Sequence, residues 1–542
     1  MLLPLDERPI NARFPRLLAE VLGWRLEAPD ALLGSRKRPG DTAAIAAWLR
    51  DTAPRAVGAV VALDTLAWGG LIPSRQSGND LDAALARLEA LRELRRAHPG
   101  LPLMAFSSIQ RVSREDDDGE EPEYHRSYGR RIFRRSVLEH RAAEGSLASG
   151  EGALADSERA SPETEGTELA RLRREIPEVV WQDVLAIRAR TRAVNVAALD
   201  LVADGVVDAL VLNQDDTTTW GLNVQDRAFL EAEVRRRGLG SRVLVYPGAD
   251  EVAQVLMARL AAQLHRRRPR FATVFSARGG PGAQTAYEDR PLGDLVAVHL
   301  RAAGAVLAPP PMAPDVWLAI NAPSRAQGQG GTSFALRHDA HGLLGDDARA
   351  WMEASEAAVR GLDRSLEAFA DALGALVDDG ARVSVADVAH VNGADDGLMT
   401  GLEAAGLLPA LVGYGGWNTA GNALGSAVAL GCLAVLTWTD GERLAALGRA
   451  VATRYVDDWL YQARVRSRLL LERDLHPLGL GGFIPTGDLA RVERLAQGWV
   501  ADELRARGWP YRLERLTLPW RRVFEIDLEL ARSADATAWG RA

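Results

Sequence analysis

Six apolar runs of strand length, each followed by a longer segment of helical periodicity, fill the first half of the chain and limit its fold more than any other feature. They are MLLPL at the start, AVGAVVAL ending at Leu63, LPLMAFSS ending at Ser108, VDALVLN ending at Asn213, RVLVYP ending at Pro247 and FATVFSA ending at Ala277. Each is nearly continuous in hydrophobicity rather than alternating, the pattern of strands buried on both faces in a parallel sheet. Between them, DLDAALARLEALRELRRAH and EVAQVLMARLAAQLHRRR repeat their apolar residues at three and four, and the second ends in a basic turn that suits the helix dipole. Alternating strands and helices predict an α/β fold. Whether the sheet closes into a TIM-like barrel or stays open is not decided by the pattern.

At 542 residues the chain exceeds a single core. The pattern divides it into an α/β domain over 1–290, a second α/β domain over 291–441, and a mainly helical region over 442–542 with a late strand in WRRVFEIDLEL. Strand candidates in the second domain are PDVWLAIN to Asn321, ARVSVADVA to Ala389, LPALVGYGG to Gly416 and GCLAVLTW to Trp438, with a strong helix between Ala348 and Asp379. A charged insertion over 114–165 interrupts the first domain. REDDDGEEPEYHRSYGRRIFRRSVLEHR reads as a charged helix with an aromatic face, and AAEGSLASGEGALADSERASPETEG as a mobile loop.

The chain is 47% hydrophobic and 25% charged, with a net charge of −8. That balance is ordinary for a globular protein and lacks the basic footprint of a nucleic-acid binder. A single cysteine, Cys432, lies in an apolar run, so no disulfide within the chain and no thiolate metal site is expected. No export signal and no uninterrupted apolar run of about 18 residues is evident, so a cytoplasmic location away from membranes is the expectation. A homo-oligomer is compatible with the sequence.

In parallel α/β sheets ligands bind beyond the carboxyl ends of the strands. The residues following each run are therefore the candidate site. The first run delivers Asp6, Glu7, Arg8 and Asn11, the second Asp64 and Arg75, the third Gln110 and Arg111, the fourth Asn213, Asp215 and Asp216, and the fifth Asp250 and Glu251. Hydrolysis of a glycosidic bond needs one carboxylic acid and one carboxylate flanking it. Asp215 or Asp216, with Asp250 or Glu251, are the expected catalytic groups. Asp250 and Glu251 also precede a helix, where acids serve as caps. Arg8 beside acids is placed to orient a neighbouring carboxylate and keep it charged.

Further along, NGAD contributes Asn392 and Asp395, and GGWNTAGNALGSA contributes Trp417 and Asn418 just before a small-residue helix starting near Thr419. An aromatic ring beside amides and acids suits a sugar, so these residues, with Asp6, Glu7, Arg8, Asp64, Arg75, Gln110, Arg111 and Asn213, are expected to bind substrate. No cofactor is expected: neither a P-loop nor a dinucleotide-binding glycine pattern occurs. The glycine-rich RAQGQGGTS reads as a flexible connection, with an anion cradle as the alternative. Histidines are scattered. His338 and His341 in RHDAHG read as a solvated loop, with metal binding as the alternative, and His390 reads as a buried histidine, a metal ligand or an acid–base group; no metal site is assigned.

Six segments in order, LPLDERPIN, DTLAWGGLIPSR, NQDDTTTWG, YPGADEV, NGAD and GYGGWNTAGNALG, resemble a bacterial family designated domain of unknown function 4127. The resemblance extends from Leu3 through DDWLYQARVR at Asp457–Arg466 and includes EPEYHRSYG within the insertion. It implies a sugar-related hydrolase, in keeping with amino-sugar breakdown. The expectation is thus a metal-independent intracellular glycoside hydrolase acting on a small sugar, including amino sugars, through paired carboxylates. A metal-dependent hydrolase and a non-catalytic sugar-binding protein are the alternatives.

Overall fold

The computed structural model describes residues 1–146, 164–309, 311–339, 342–361, 363–437, 440–479 and 481–533. The chain packs as two compact units. The first comprises Met1, Leu3–Asp6 and Pro29–Ala249; the second comprises Leu2, Glu7–Ala28 and everything from Asp250 onward.

The first unit is built on β1 (Leu2–Leu3), β2 (Ala59–Ala62), β3 (Leu103–Ile109), β4 (Ala209–Gln214) and β5 (Val243–Pro247), which lie in that spatial order. Strands β2 to β5 are mutually parallel. Each strand coincides with one of the apolar runs, β3 and β4 extending one residue beyond theirs, and nearly every position in them is buried. Strands in sequential order, joined by crossovers of the usual right hand, are expected to carry their connecting helices on one face. That face is a single core: Ala59, Val61, Leu103, Ala105, Leu210, Leu212 and Val243 of the strands pack with Ile45 and Leu49, Leu88 and Leu91, and Val194, Leu199 and Val202 of the helices Thr42–Thr52, Leu81–Ala97 and Glu178–Ala203.

In the second unit, β6 (Arg270–Phe275), β7 (Val306–Leu307), β8 (Val316–Asn321), β10 (Val383–Asp387) and β12 (Gly413–Gly415) form another parallel sheet. A short parallel pair, β9 (Gly328–Gln329) with β11 (His390–Val391), stands beside it. The sheet runs β7-β6-β8-β10-β12, so chain direction across it reverses between β6 and β8. Such a reversal opens a crevice at the carboxyl ends of the strands. Among the described residues no sheet closes into a barrel.

GCLAVLTW is not a strand. It is the end of the helix Ala420–Thr437, with Trp438 outside the described residues. The helix runs unbroken from Ala420 through this segment, and 18 residues of largely small and apolar character favour a helix over a strand. By length and hydropathy this helix could cross a membrane, but it is 94% buried within the protein. The helical C-terminal pattern holds, with the helices Gly441–Arg454 and Leu489–Arg507. Between them Tyr455–Val465 forms a π-helix of 11 residues, a rare conformation that is frequent at functional sites. The late strand β14 (Asp527–Arg532) pairs antiparallel with β13 (Tyr511–Thr517). In the insertion, the acidic part to Tyr124 is non-helical and the helix is His125–Ala143. Most of the expected mobile loop lies outside the described residues.

Candidate functional site

In the first unit the polar groups at the carboxyl ends of β2, β3 and β4 meet. Asp64 follows β2 in the first turn of Leu63–Trp68, and its Oδ2 accepts the Ser108 N–H at 2.9 Å. Asn213 donates to Ser108 Oγ at 3.1 Å, and Gln110 donates to Ser74 Oγ. The Arg75 guanidinium donates to Asp215 Oδ2, to Glu120 at 3.0 Å and to Glu121 at 3.2 Å. Arg111 donates to Glu120 and Asp216 at 3.0 Å each and to Glu121 at 2.9 Å. Glu120 and Glu121 come from the acidic stretch of the insertion, which the strand-end reading passed over; DDDGEEP, close after Arg111, was the available signal.

Here four carboxyl groups share two guanidinium groups. Charge balance therefore favours a proton on one of the acids. Burial pushes Glu121 up, but Arg75 and Arg111 outweigh it and hold that carboxylate below its usual range. Burial also raises Asp215, and there Asp216 adds to it, so Asp215 stays above the usual range despite Arg75. Asp64 is raised to about 6, by burial first and in part by Asp215. His125, near Glu121, is lowered by burial. Asp216 has φ +37°, a strained conformation of the kind that collects at functional sites. The Asp216 and Arg111 side chains remain 30% and 21% exposed, so the cluster has an accessible edge. Asp6 belongs to this unit and is buried.

In the second unit Asp250 is the centre of a separate network. Arg8 grips it with two nitrogens, at 2.5 and 3.2 Å. Asn11 and Asn418 donate to its two oxygens at 3.1 and 3.2 Å, and its backbone N–H donates to Asn422 at 3.1 Å. Arg8 and Asp250 thus form a buried ion pair. Glu7 accepts the Trp520 Nε1–H at 2.5 Å, and Arg8 lies 5.3 Å from the Trp520 ring. Asn418 and Asn392 both have left-handed backbone, φ +66° and +60°, and the Asn392 N–H donates to Asn418 O at 2.9 Å. A cavity lined by Asp250, Trp417, Asn422, Arg454 and Asp458 has about 10 Å³ of room, enough for one water.

A third cluster lies at the carboxyl ends of β8 and β10. Asn321 donates to Asp387 at 2.8 Å and to Asp395 at 3.3 Å, Arg364 bonds both Asn321 and Asp395, and Tyr414 donates to Asp387 at 3.1 Å. Asp395 caps the helix Asp396–Ala404 through the N–H groups of Gly397 and Leu398. Burial and the neighbouring Asp395 raise Asp387 to about 6; burial opposes, but His390 and Arg364 bring Asp395 down to about 2. His390 pairs with Glu356 at 3.1 Å. Asp387 and Asn321 are fully buried, which makes this a charge lock on the strand ends.

The expected catalytic groups divide between the units: Asp215 and Asp216 belong to the first, Asp250 and Glu251 to the second. Glu251 is fully buried; a Cβ at Gly425 would stand 2.0 Å from its Cγ, and His299 Nε2 is 3.4 Å from its Oε1. RAQGQGGTS is not a flexible connection: Gly328 and Gln329 form β9, and Gly331 presses on the end of the π-helix, where a Cβ would meet Ser467 Oγ at 2.1 Å. His338 stacks on Phe334 at 3.9 Å, and His341 lies outside the described residues. Among the described residues no three His, Cys, Asp or Glu side chains are placed to share a metal ion.

The chain forms two α/β units, each with a parallel sheet and with charged groups gathered at the carboxyl ends of its strands. A family model described as "Protein of unknown function (DUF4127)" matches residues 1–529, and the chain belongs to this family. No curated protein matches the chain.

Proposed function

We propose that the protein is a glycoside hydrolase acting on a small sugar glycoside, with Asp215 as general acid and Asp216 as the neighbouring carboxylate. The observation that carries this reading is the charge imbalance of the first-unit cluster: two arginines for four acids, with Asp215 raised. A carboxylic acid kept protonated beside a carboxylate is what protonation of a leaving glycosidic oxygen requires. The Asp215 proton passes to that oxygen as the C1–O bond breaks, and it is recovered from the water that adds to C1. Asp216, held by Arg111 at 3.0 Å, stabilises the positive charge developing on the sugar ring. Arg75, shared with Glu120 and Glu121, fixes the orientation of Asp215. Asn213 and Gln110, each already bonded to a serine hydroxyl, complete the polar wall.

The test is turnover of aryl and alkyl α- and β-glycosides, amino sugars included, with and without EDTA. Asp215→Asn is expected to lower kcat/KM by about 10²- to 10⁴-fold on alkyl glycosides, whose poor leaving groups need the acid, and by much less on nitrophenyl glycosides. Equal losses on both classes would remove Asp215 from the acid role. Activity abolished by EDTA would favour a metal-dependent hydrolase, and folded protein silent across the panel would favour a sugar-binding role.

A further inference from the structure

The π-helix Tyr455–Val465 ends at Arg466, and the elements around that residue form a site the hydrolase reading does not use. Tyr461 donates to Val523 O at 2.8 Å and Gln462 to Phe524 O at 2.9 Å, so the π-helix fixes the backbone of the loop before β14. The Phe524 ring then has Trp417 on one side, 5.3 Å between centroids, and the Arg466 guanidinium on another, 5.1 Å away. Two donors are left over. Trp417 Nε1 is buried without a hydrogen-bond partner, and so is Arg466 Nε; Arg466 bonds only Gln462 Oε1, at 3.2 Å, among the described side chains. No carboxylate among the described residues pairs with Arg466. The nearby Glu525 is engaged by Arg522. Burial holds Arg466 below its usual range; Tyr461 and Glu525 offset this only in part, and Arg522 adds to it. A guanidinium largely withdrawn from water ordinarily has an anionic partner, because its charge is otherwise uncompensated. Arg466 and Phe524 are half-buried, so that partner can arrive from solvent.

We propose that Arg466 and Trp417, arranged around Phe524, receive an oxyanion of a small ligand, a carboxylate or a phosphate. Arg466 supplies the charge and a planar fork that matches either group. Trp417 supplies one N–H, and the two rings supply an apolar wall for the carbon skeleton that carries the anion. Gly331 and Gly393 let the loops after β9 and β11 press on the π-helix beside Gln462 and Ala463, which holds the base of Arg466 in place.

Binding to the full-length protein decides the matter by isothermal titration with D-glucuronate, D-glucose 6-phosphate, D-glucose and inorganic phosphate as probes. At least one anionic sugar is expected to bind about tenfold or more tighter than glucose, the worth of one charge-assisted hydrogen bond. A preference for glucuronate identifies a carboxylate ligand; a preference for glucose 6-phosphate, or binding of phosphate alone, identifies a phosphate ligand. Arg466→Gln is expected to abolish the preference while melting close to the wild type, since among the described residues Arg466 forms no ion pair. Should that variant not fold, Arg466→Lys keeps the charge without the fork and is expected to weaken the preference several-fold. Anions binding no better than glucose, or a preference that survives Arg466→Gln, would overturn the proposal. The assay reads binding without turnover, so its outcome is independent of the hydrolase reading.

Discussion

Asp64→Asn isolates the electrostatics of the first-unit cluster. Asp64 is buried beside Asp215 and accepts the Ser108 N–H, and its carboxyl is raised from the ordinary 3.8 to about 6. An acid whose pKa is higher in the folded state keeps its proton there longer than in the unfolded chain. Folding is therefore weakened as the pH rises: the effect is absent below about pH 4, grows through pH 5 and is complete by about pH 7. At 1.36 kcal/mol for each factor of ten, the cost at neutral pH is about 3 kcal/mol. Asparagine has the same shape, retains an oxygen for the Ser108 N–H and carries no charge at any pH. The variant should match the wild type at pH 4 and exceed it by up to about 3 kcal/mol at pH 7. Native-state hydrogen exchange of the amides of β2 and β3 measures this locally, without requiring a two-unit protein to unfold in one step. If the opening free energies of wild type and variant run parallel between pH 4 and pH 7, Asp64 is not buried as an acid in the native state and the argument for a proton-retaining cluster fails. A gain in stability at neutral pH would also mark Asp64 as a residue kept at a cost, as expected of a site selected for binding or catalysis.

Asp250→Ala leaves the buried Arg8 without its carboxylate, and a loss of about 3 to 5 kcal/mol in denaturant titrations is expected; Asp250→Asn should cost less, because the amide keeps part of the bonding to Asn11 and Asn418. Gly425→Ala should destabilise by about 1 to 3 kcal/mol, since the new Cβ would stand 2.0 Å from Glu251 Cγ, and Glu251→Ala in the same chain should recover part of that loss. Gly331→Ala combines a left-handed φ of +85° with a Cβ 2.1 Å from Ser467 Oγ. Its melting point should fall, and Ser467→Gly should restore only the steric part because the backbone strain persists. Full recovery would show that the strain is negligible.

Much of the fold was legible along the chain. The apolar runs before Leu63, Ser108, Asn213 and Pro247 each contain a strand, and the helices Leu81–Ala97 and Val252–Leu264 follow the three-and-four spacing. Strand ends do deliver charged groups: Asp64, Arg111 and Asp215 were singled out by position alone and do converge. The ordered motifs carried family membership. The misreading of GCLAVLTW shows the limit of local pattern, because a short apolar run is the same string in a strand as in a buried helix, and only its continuity with Ala420 decides.

Partners were not legible. Glu120 and Glu121 stand about ten residues from Arg111 and some forty-five from Arg75, yet both guanidinium groups bond them, because the acidic stretch of the insertion folds back over the strand ends. Trp417 and Phe524 are more than a hundred residues apart and share one wall. Asp250 and Glu251 are neighbours with different surroundings: one is held by Arg8, Asn11 and Asn418, the other is packed against the helix Ala420–Thr437. Sequence by itself determined the elements, the chemical character of the strand ends and the family, since periodicity and residue type are properties of adjacent positions. Tertiary structure alone decided which carboxyl groups are raised and which are lowered, and which charged groups meet, since those depend on burial and on charges within a few ångströms, and distance along the chain does not set distance through space.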